Sequence, residues 1–171
     1  MRTRFRTLFP ASVTSARPAR MTPPLDCPSE GRFDGCEHRF GLRVYFEDTD
    51  LSGVVYHANY LRYMERARSD MLRLGGCDQR AAYEAGEGAY AIRDLHIRYA
   101  APARLNDVLL IVSRMTKLRA ASVVIHQRVM QGSLLVAEAE VEAAFVAPSG
   151  APRRHPPAWR RTFESLIWKE S

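Results

Sequence analysis

Two aspartates, a glycine and a histidine fall within one short run, Glu47-Asp48-Thr49-Asp50-Leu51-Ser52-Gly53-Val54-Val55-Tyr56-His57. An ionised carboxylate is either a nucleophile or a base for water. The first N–H groups of a helix have no internal partners, so they hold negative charge that develops on a carbonyl oxygen. A carboxylate next to a helix start therefore has the parts needed for acyl transfer. The same residue types also serve a plainer purpose, because Asp and Thr are common in turns and as helix caps. Residue type alone leaves both readings open.

The flanking elements decide where such a run would sit. Residues 40–46 alternate, with Phe40, Leu42, Val44 and Phe46 on one side, and predict a half-buried strand. Residues 57–74 carry Tyr60, Met64, Ala67, Met71 and Leu74 at helical spacing, with Leu61 and Leu72 widening the stripe. Arg62, Arg66, Ser69 and Arg73 lie opposite, and Gly75-Gly76 ends the pattern. A short helix and loop fit 78–88. Strands follow at 89–99, 107–117, 121–130 and 134–146, the last with Glu138, Glu140 and Glu142 alternating against apolar residues. Beyond Pro148 the tail carries a short amphipathic piece with Trp159, Phe163, Leu166 and Ile167. One strand, one long helix and then four strands predict an α+β fold: an antiparallel five-stranded sheet curled around a central helix. With one strand before the helix and no Gly-rich phosphate loop, a dinucleotide-binding fold is not expected.

The chain has 171 residues, 46% hydrophobic and 26% charged, with a net charge of +6. That charge suggests nucleic acid, but it is local. Residues 1–20 hold five arginines and no acid, and the remainder balances 20 basic against 19 acidic residues. No run of about 18 apolar residues is present, so no membrane span is expected. Cys27, Cys36 and Cys77 lack ligand spacing. They are read as reduced thiols of a cytoplasmic protein with no metal site. The expected organisation is a disordered basic extension over 1–37, one domain over 38–148 and a tail over 149–171. The Arg/Ser-rich start is similar to an organellar transit peptide, but such composition is weakly diagnostic and the favoured reading is an over-long start with Met21 as initiator, or a loose tail.

The central run resembles the hallmark "VYYEDTDxxGVVYHxxYLxxxERAR" of the Tol–Pal-associated acyl-CoA thioesterases, a branch of the 4-hydroxybenzoyl-CoA thioesterase superfamily. Here it reads Val44-Tyr45-Phe46-Glu47-Asp48-Thr49-Asp50, Gly53-Val54-Val55-Tyr56-His57, Tyr60-Leu61 and Glu65-Arg66-Ala67-Arg68. Tyr99-Ala100-Ala101-Pro102-Ala103-Arg104-Leu105 is similar to the family's "YxAPARL", and Arg119, Ser122, Gln127 and Arg128 to its "RxxSxxxxQR". The likeness spans roughly 39–147, with Phe46 in place of a second Tyr and Leu51-Ser52 in place of small residues.

The resemblance implies a hotdog fold and hydrolysis of acyl-CoA thioesters with short or aryl acyl groups. It makes Asp50 the catalytic carboxylate and leaves Asp48 a turn role. It makes the backbone N–H of His57 the oxyanion donor, with the His57 side chain a second catalytic candidate. Gly53, Val54, Tyr60 and Glu65 line or support the substrate site, and Glu65 is the rival carboxylate because some hotdog enzymes use one on the helix. Arg104, Lys117 and Arg119 are candidates for the coenzyme A phosphates. The implied protein is a homo-oligomer, a dimer or tetramer of hotdogs. It needs no cofactor beyond the coenzyme A of its substrate, accepts acyl carrier protein as a possible partner and binds no nucleic acid. The other reading is a non-catalytic acyl-binding or adaptor hotdog on lipid-synthesis or envelope machinery.

Overall fold

The computed structural model describes residues 30–169. The transit-like start, Met21 and Cys27 lie outside the described residues. The elements are β1 (Arg32–Asp34), β2 (Glu37–Arg43), a 3₁₀ turn (Phe46–Asp48), α1 (His57–Leu74), α2 (Gln79–Glu84), β3 (Ala89–Tyr99), β4 (Val108–Leu118), β5 (Ser122–Gln131), β6 (Leu134–Val146) and α3 (Pro157–Leu166). The strands form one antiparallel sheet in the order β1-β2-β4-β5-β6-β3. Helix α1 packs on its inner face, in contact with β2, β4 and β5.

Two expectations change. The sheet has six strands, because Arg32–Asp34 folds back on β2 within the stretch expected to be disordered. This hairpin is held from a distance. Asp70 on α1 accepts the Gly31 N–H and the His38 Nε2–H, both at 2.8 Å, and Arg73 at 2.6 Å. A Cβ on Gly31 would stand 2.5 Å from His38 Nε2, so glycine is required there. The first long strand also stops at Arg43, short of Phe46. Val44 is sealed, but Phe46 is 82% exposed, since the Asp48 carboxylate takes the Tyr45 N–H at 2.8 Å and turns the chain.

The core has two apolar clusters, one around Tyr60, Met64 and Leu109, the other around Met71, Ile125, Phe145 and Phe163 of α3. A polar level crosses between them. His38, Ser113 and Gln127 are register neighbours on β2, β4 and β5, and all are sealed from solvent. Gln127 accepts from Arg68 Nη1 at 2.7 Å and donates to the Met64 carbonyl at 3.0 Å and to Ser113 Oγ at 2.9 Å. Removing one member leaves the others buried and unpaired, which costs more than the net worth of the bonds. Gln127→Leu is therefore expected to lower the unfolding free energy by about 3 kcal/mol in urea titration; a loss below about 1 kcal/mol would mean that water replaces the amide.

Candidate active site

The run between β2 and α1 is a short hairpin. Thr49 pairs with Val55, Asp50 N–H bonds the Val54 carbonyl at 3.0 Å, and Gly53 N–H bonds the Asp50 carbonyl at 3.0 Å. Gly53 has φ +75°, a left-handed conformation that closes the turn and favours glycine. Val54 and Val55 then pair with the Ala103-Arg104 loop, through Val55 N–H to the Ala103 carbonyl at 2.8 Å. Tyr60, one turn into α1, is buried and its hydroxyl accepts the Ala103 N–H at 3.2 Å.

The two aspartates have separate environments. Asp48 is 6% exposed, and besides its bond to Tyr45 its carbonyl accepts from Tyr56 N–H and Asn59 Nδ2. It is spent on structure. Asp50 is exposed. Its Oδ1 accepts the Ser52 N–H at 2.8 Å and the Ser52 hydroxyl, while Oδ2 has no partner among the described residues. Ser52, and to a smaller extent the nearby His57, hold the Asp50 carboxyl below the ordinary aspartate range. The group is thus ionised through the neutral range and takes up its proton only as pH falls through that lowered value. Ser52→Ala is expected to raise the Asp50 pKa, read by NMR titration of the carboxyl carbon; an unmoved titration would show that Ser52 does not set it.

At the start of α1, Tyr56 is extended (φ −59°, ψ 132°) and His57 is the first helical residue. The amides of His57 and Ala58 have no hydrogen-bond acceptor among the described residues. They are free donors at the positive end of an 18-residue helix. Beside them is a groove of about 350 Å³ lined by Val54, Val55, His57, Tyr60, Tyr99 and Ala100 to Pro102. It is mostly apolar and aromatic. The His57 ring lies 4.4 Å from that of Tyr56 and 6.4 Å from that of Tyr99, and the Tyr99 hydroxyl donates to the His57 carbonyl at 3.1 Å.

Asp50, Gly53, Val54, His57 and Tyr60 therefore meet at one end of the molecule. Arg104 joins them: one guanidinium nitrogen is 4.0 Å from where a Cβ on Gly53 would stand. Glu65 is exposed roughly 12 Å further along α1, at 1.5 Å per residue, and accepts from Ser69 at 2.6 Å; Arg68 turns instead to Gln127. Lys117 and Arg119 lie at the opposite end of β4, and Arg119 is paired with Glu142. Ser52, Asn59 and Tyr99 are the contributors that sequence reasoning missed. A serine two residues after an aspartate is a known turn signal. Tyr99 is marked only as the first residue of the Tyr99-to-Leu105 match, with no role attached, and it reaches the site from 42 residues away.

The family model of the thioesterase-like superfamily matches residues 44–162. The acyl-CoA thioester hydrolase YbgC of Escherichia coli O6:H1 is 44% identical over 111 residues, covering 64% of this chain and 82% of that one. The acyl-CoA thioesterase YbgC of Haemophilus influenzae is 38% identical over 107 residues, covering 63% and 79%. A probable thioesterase from Bartonella henselae superposes with a TM-score of 0.67 at 37% identity, covering 70% of this chain and 99% of the other. With the helix cradled by the sheet and the hairpin at its start, these matches establish that the chain belongs to the thioesterase-like superfamily, as a YbgC-type thioesterase with the hotdog fold.

Proposed function

We propose that this chain hydrolyses acyl-CoA thioesters, with Asp50 as the catalytic carboxylate and the start of α1 as the oxyanion hole. One observation carries the reading: a carboxylate with a free oxygen stands on the turn leading to unpartnered helix-start amides and an apolar groove. The thioester oxygen sits against the His57 amide. As negative charge grows on it, the fixed N–H groups stabilise that charge without reorganising. Asp50 either attacks the carbonyl carbon or takes a proton from water that does so; both roles need the ionised form that Ser52 favours. The YbgC relatives, named as acyl-CoA hydrolases, support the substrate class. The aromatic lining of the groove supports short or aryl acyl groups.

Arg104, beside Gly53, is the candidate for a phosphate of the coenzyme A moiety. Lys117 and Arg119 reach a substrate only if a second copy brings its own site to that end. Among the described residues the outer edge of β3 is unpaired, and antiparallel pairing of two β3 edges would set the Ala89 end of one beside the Tyr99 end of the other. A homo-oligomer in the cytoplasm, working without a cofactor beyond the substrate's coenzyme A, completes the reading. An acyl carrier protein thioester is the further substrate to try.

The test offers purified protein a panel of short-, medium- and aryl-CoA thioesters and follows free thiol. Turnover of at least one above the uncatalysed rate is expected. If none turns over while an acyl group is still bound, the chain is the acyl-binding or adaptor protein of the second reading.

A further inference from the structure

Asn59, in the first turn of α1, is 5% exposed and does not line the groove. Its Nδ2 donates to the Asp48 carbonyl at 2.8 Å. That oxygen also accepts the Tyr56 N–H at 2.9 Å, so it is satisfied without the carboxamide. Burying a carboxamide costs desolvation, and a second bond to an already paired acceptor returns little of that cost. Stability alone does not account for an asparagine here; its place in the site does.

Three pieces of chain meet at the Asp48 carbonyl. Asp48 belongs to the outgoing arm of the hairpin that carries Asp50, Tyr56 to the returning arm, and Asn59 to α1 itself. The Asn59 N–H also bonds the Tyr56 carbonyl at 2.8 Å, so one residue of the helix holds both arms. The returning arm has a further anchor, since Val55 N–H bonds the Ala103 carbonyl. Past Asp48 the outgoing arm bonds inward: Thr49 pairs with Val55, Asp50 N–H bonds Val54, and the Asp50 carboxylate accepts from Ser52 of its own turn. Asn59 therefore ties the arm that bears the carboxylate to the helix turn that bears the free amides of His57 and Ala58.

We infer that Asn59 is a positioning residue, which sets the Asp50 carboxylate against the helix-start amides and acts on the reaction only through that placement. The inference rests on the reading of Asp50 as the catalytic carboxylate. Steady-state thiol release from the best acyl-CoA substrate tests it on the full chain, with Asn59→Ala made in wild type and in Asp50→Asn. Asn59→Ala in wild type is expected to lower kcat by at least about tenfold at unchanged KM, since misplacing a reacting group by roughly 1 Å costs on the order of 10²-fold. Asn59→Leu removes the donor and keeps the volume; it should show the same loss, and it decides the matter if Asn59→Ala does not fold. In Asp50→Asn no carboxylate is left to place, so the same substitution should cost much less than it does in wild type. A kcat loss below about tenfold in a folded variant, a rise in KM in place of the fall in kcat, or equal fold-losses in the two backgrounds would each overturn the assignment. Full turnover by Asp50→Asn alone would instead sink the reading of Asp50, and the role of Asn59 with it.

Discussion

Asp50→Asn is expected to slow thiol release from the best acyl-CoA substrate by about 10²–10⁴-fold, the range a positioned base contributes. The substitution is nearly isosteric. The asparagine oxygen still accepts the Ser52 N–H that Asp50 Oδ1 accepts now, and the residue is exposed, so the hairpin and melting temperature should be unchanged. What disappears is the charge, and with it both nucleophile and base. The loss should fall on kcat and kcat/KM alike, because the group acts on the reacting centre and not on the coenzyme A moiety. Steady-state thiol release by both proteins, with Glu65→Gln in parallel, checks it. If Asp50→Asn kept full turnover while Glu65→Gln lost it, the carboxylate role would pass to the helix, and a partner chain would have to bring that helix to the groove.

Much of this arrangement was legible because its signals are local. The stripe from Tyr60 to Leu74, stopped by Gly75-Gly76, predicts α1, since a 3.6-residue period over about four turns admits no other element. Strand β6 alternates cleanly along most of its length, and the bounds predicted for β3 and β6 match to the residue. Asp50, Gly53 and His57 sit within eight positions of one another, so a turn signal and a helix start suffice to group them.

Most of the misses share a cause: a partner far along the chain fixes them, the Phe46 turn being the local exception. Strand β1 has no hydrophobic period of its own and is pinned by Asp70. Arg68 and Asp70 carry charges that pattern reasoning sends to the surface, yet both are buried because Gln127 and His38 meet them there. Phe46 breaks its alternation because a carboxylate two residues on captures the chain. In the site, Tyr99 and Pro102 wall the groove only because β3 returns to the start of α1.

The second large effect separates a backbone from a side chain. The free amide of His57 is the proposed oxyanion donor, and no ordinary substitution touches it. Proline does. It lacks the N–H, and the first helical position is where proline is best tolerated, since its fixed φ suits the helix and no internal bond is lost. The residue before proline must be extended, and Tyr56 already is, at φ −59° and ψ 132°. His57→Pro should therefore fold with a near-native melting temperature while turnover drops by about 10²–10³-fold, the cost of one oxyanion donor. His57→Ala deletes the imidazole and keeps the amide. If the backbone is what matters, alanine retains most of the activity that proline loses, and the two kcat values stand at least about tenfold apart. Equal losses would give the role to the imidazole instead, as acid, base or water clamp at the groove. Full activity in folded His57→Pro would remove the His57 amide from the mechanism and leave the free Ala58 amide as the helix-start donor.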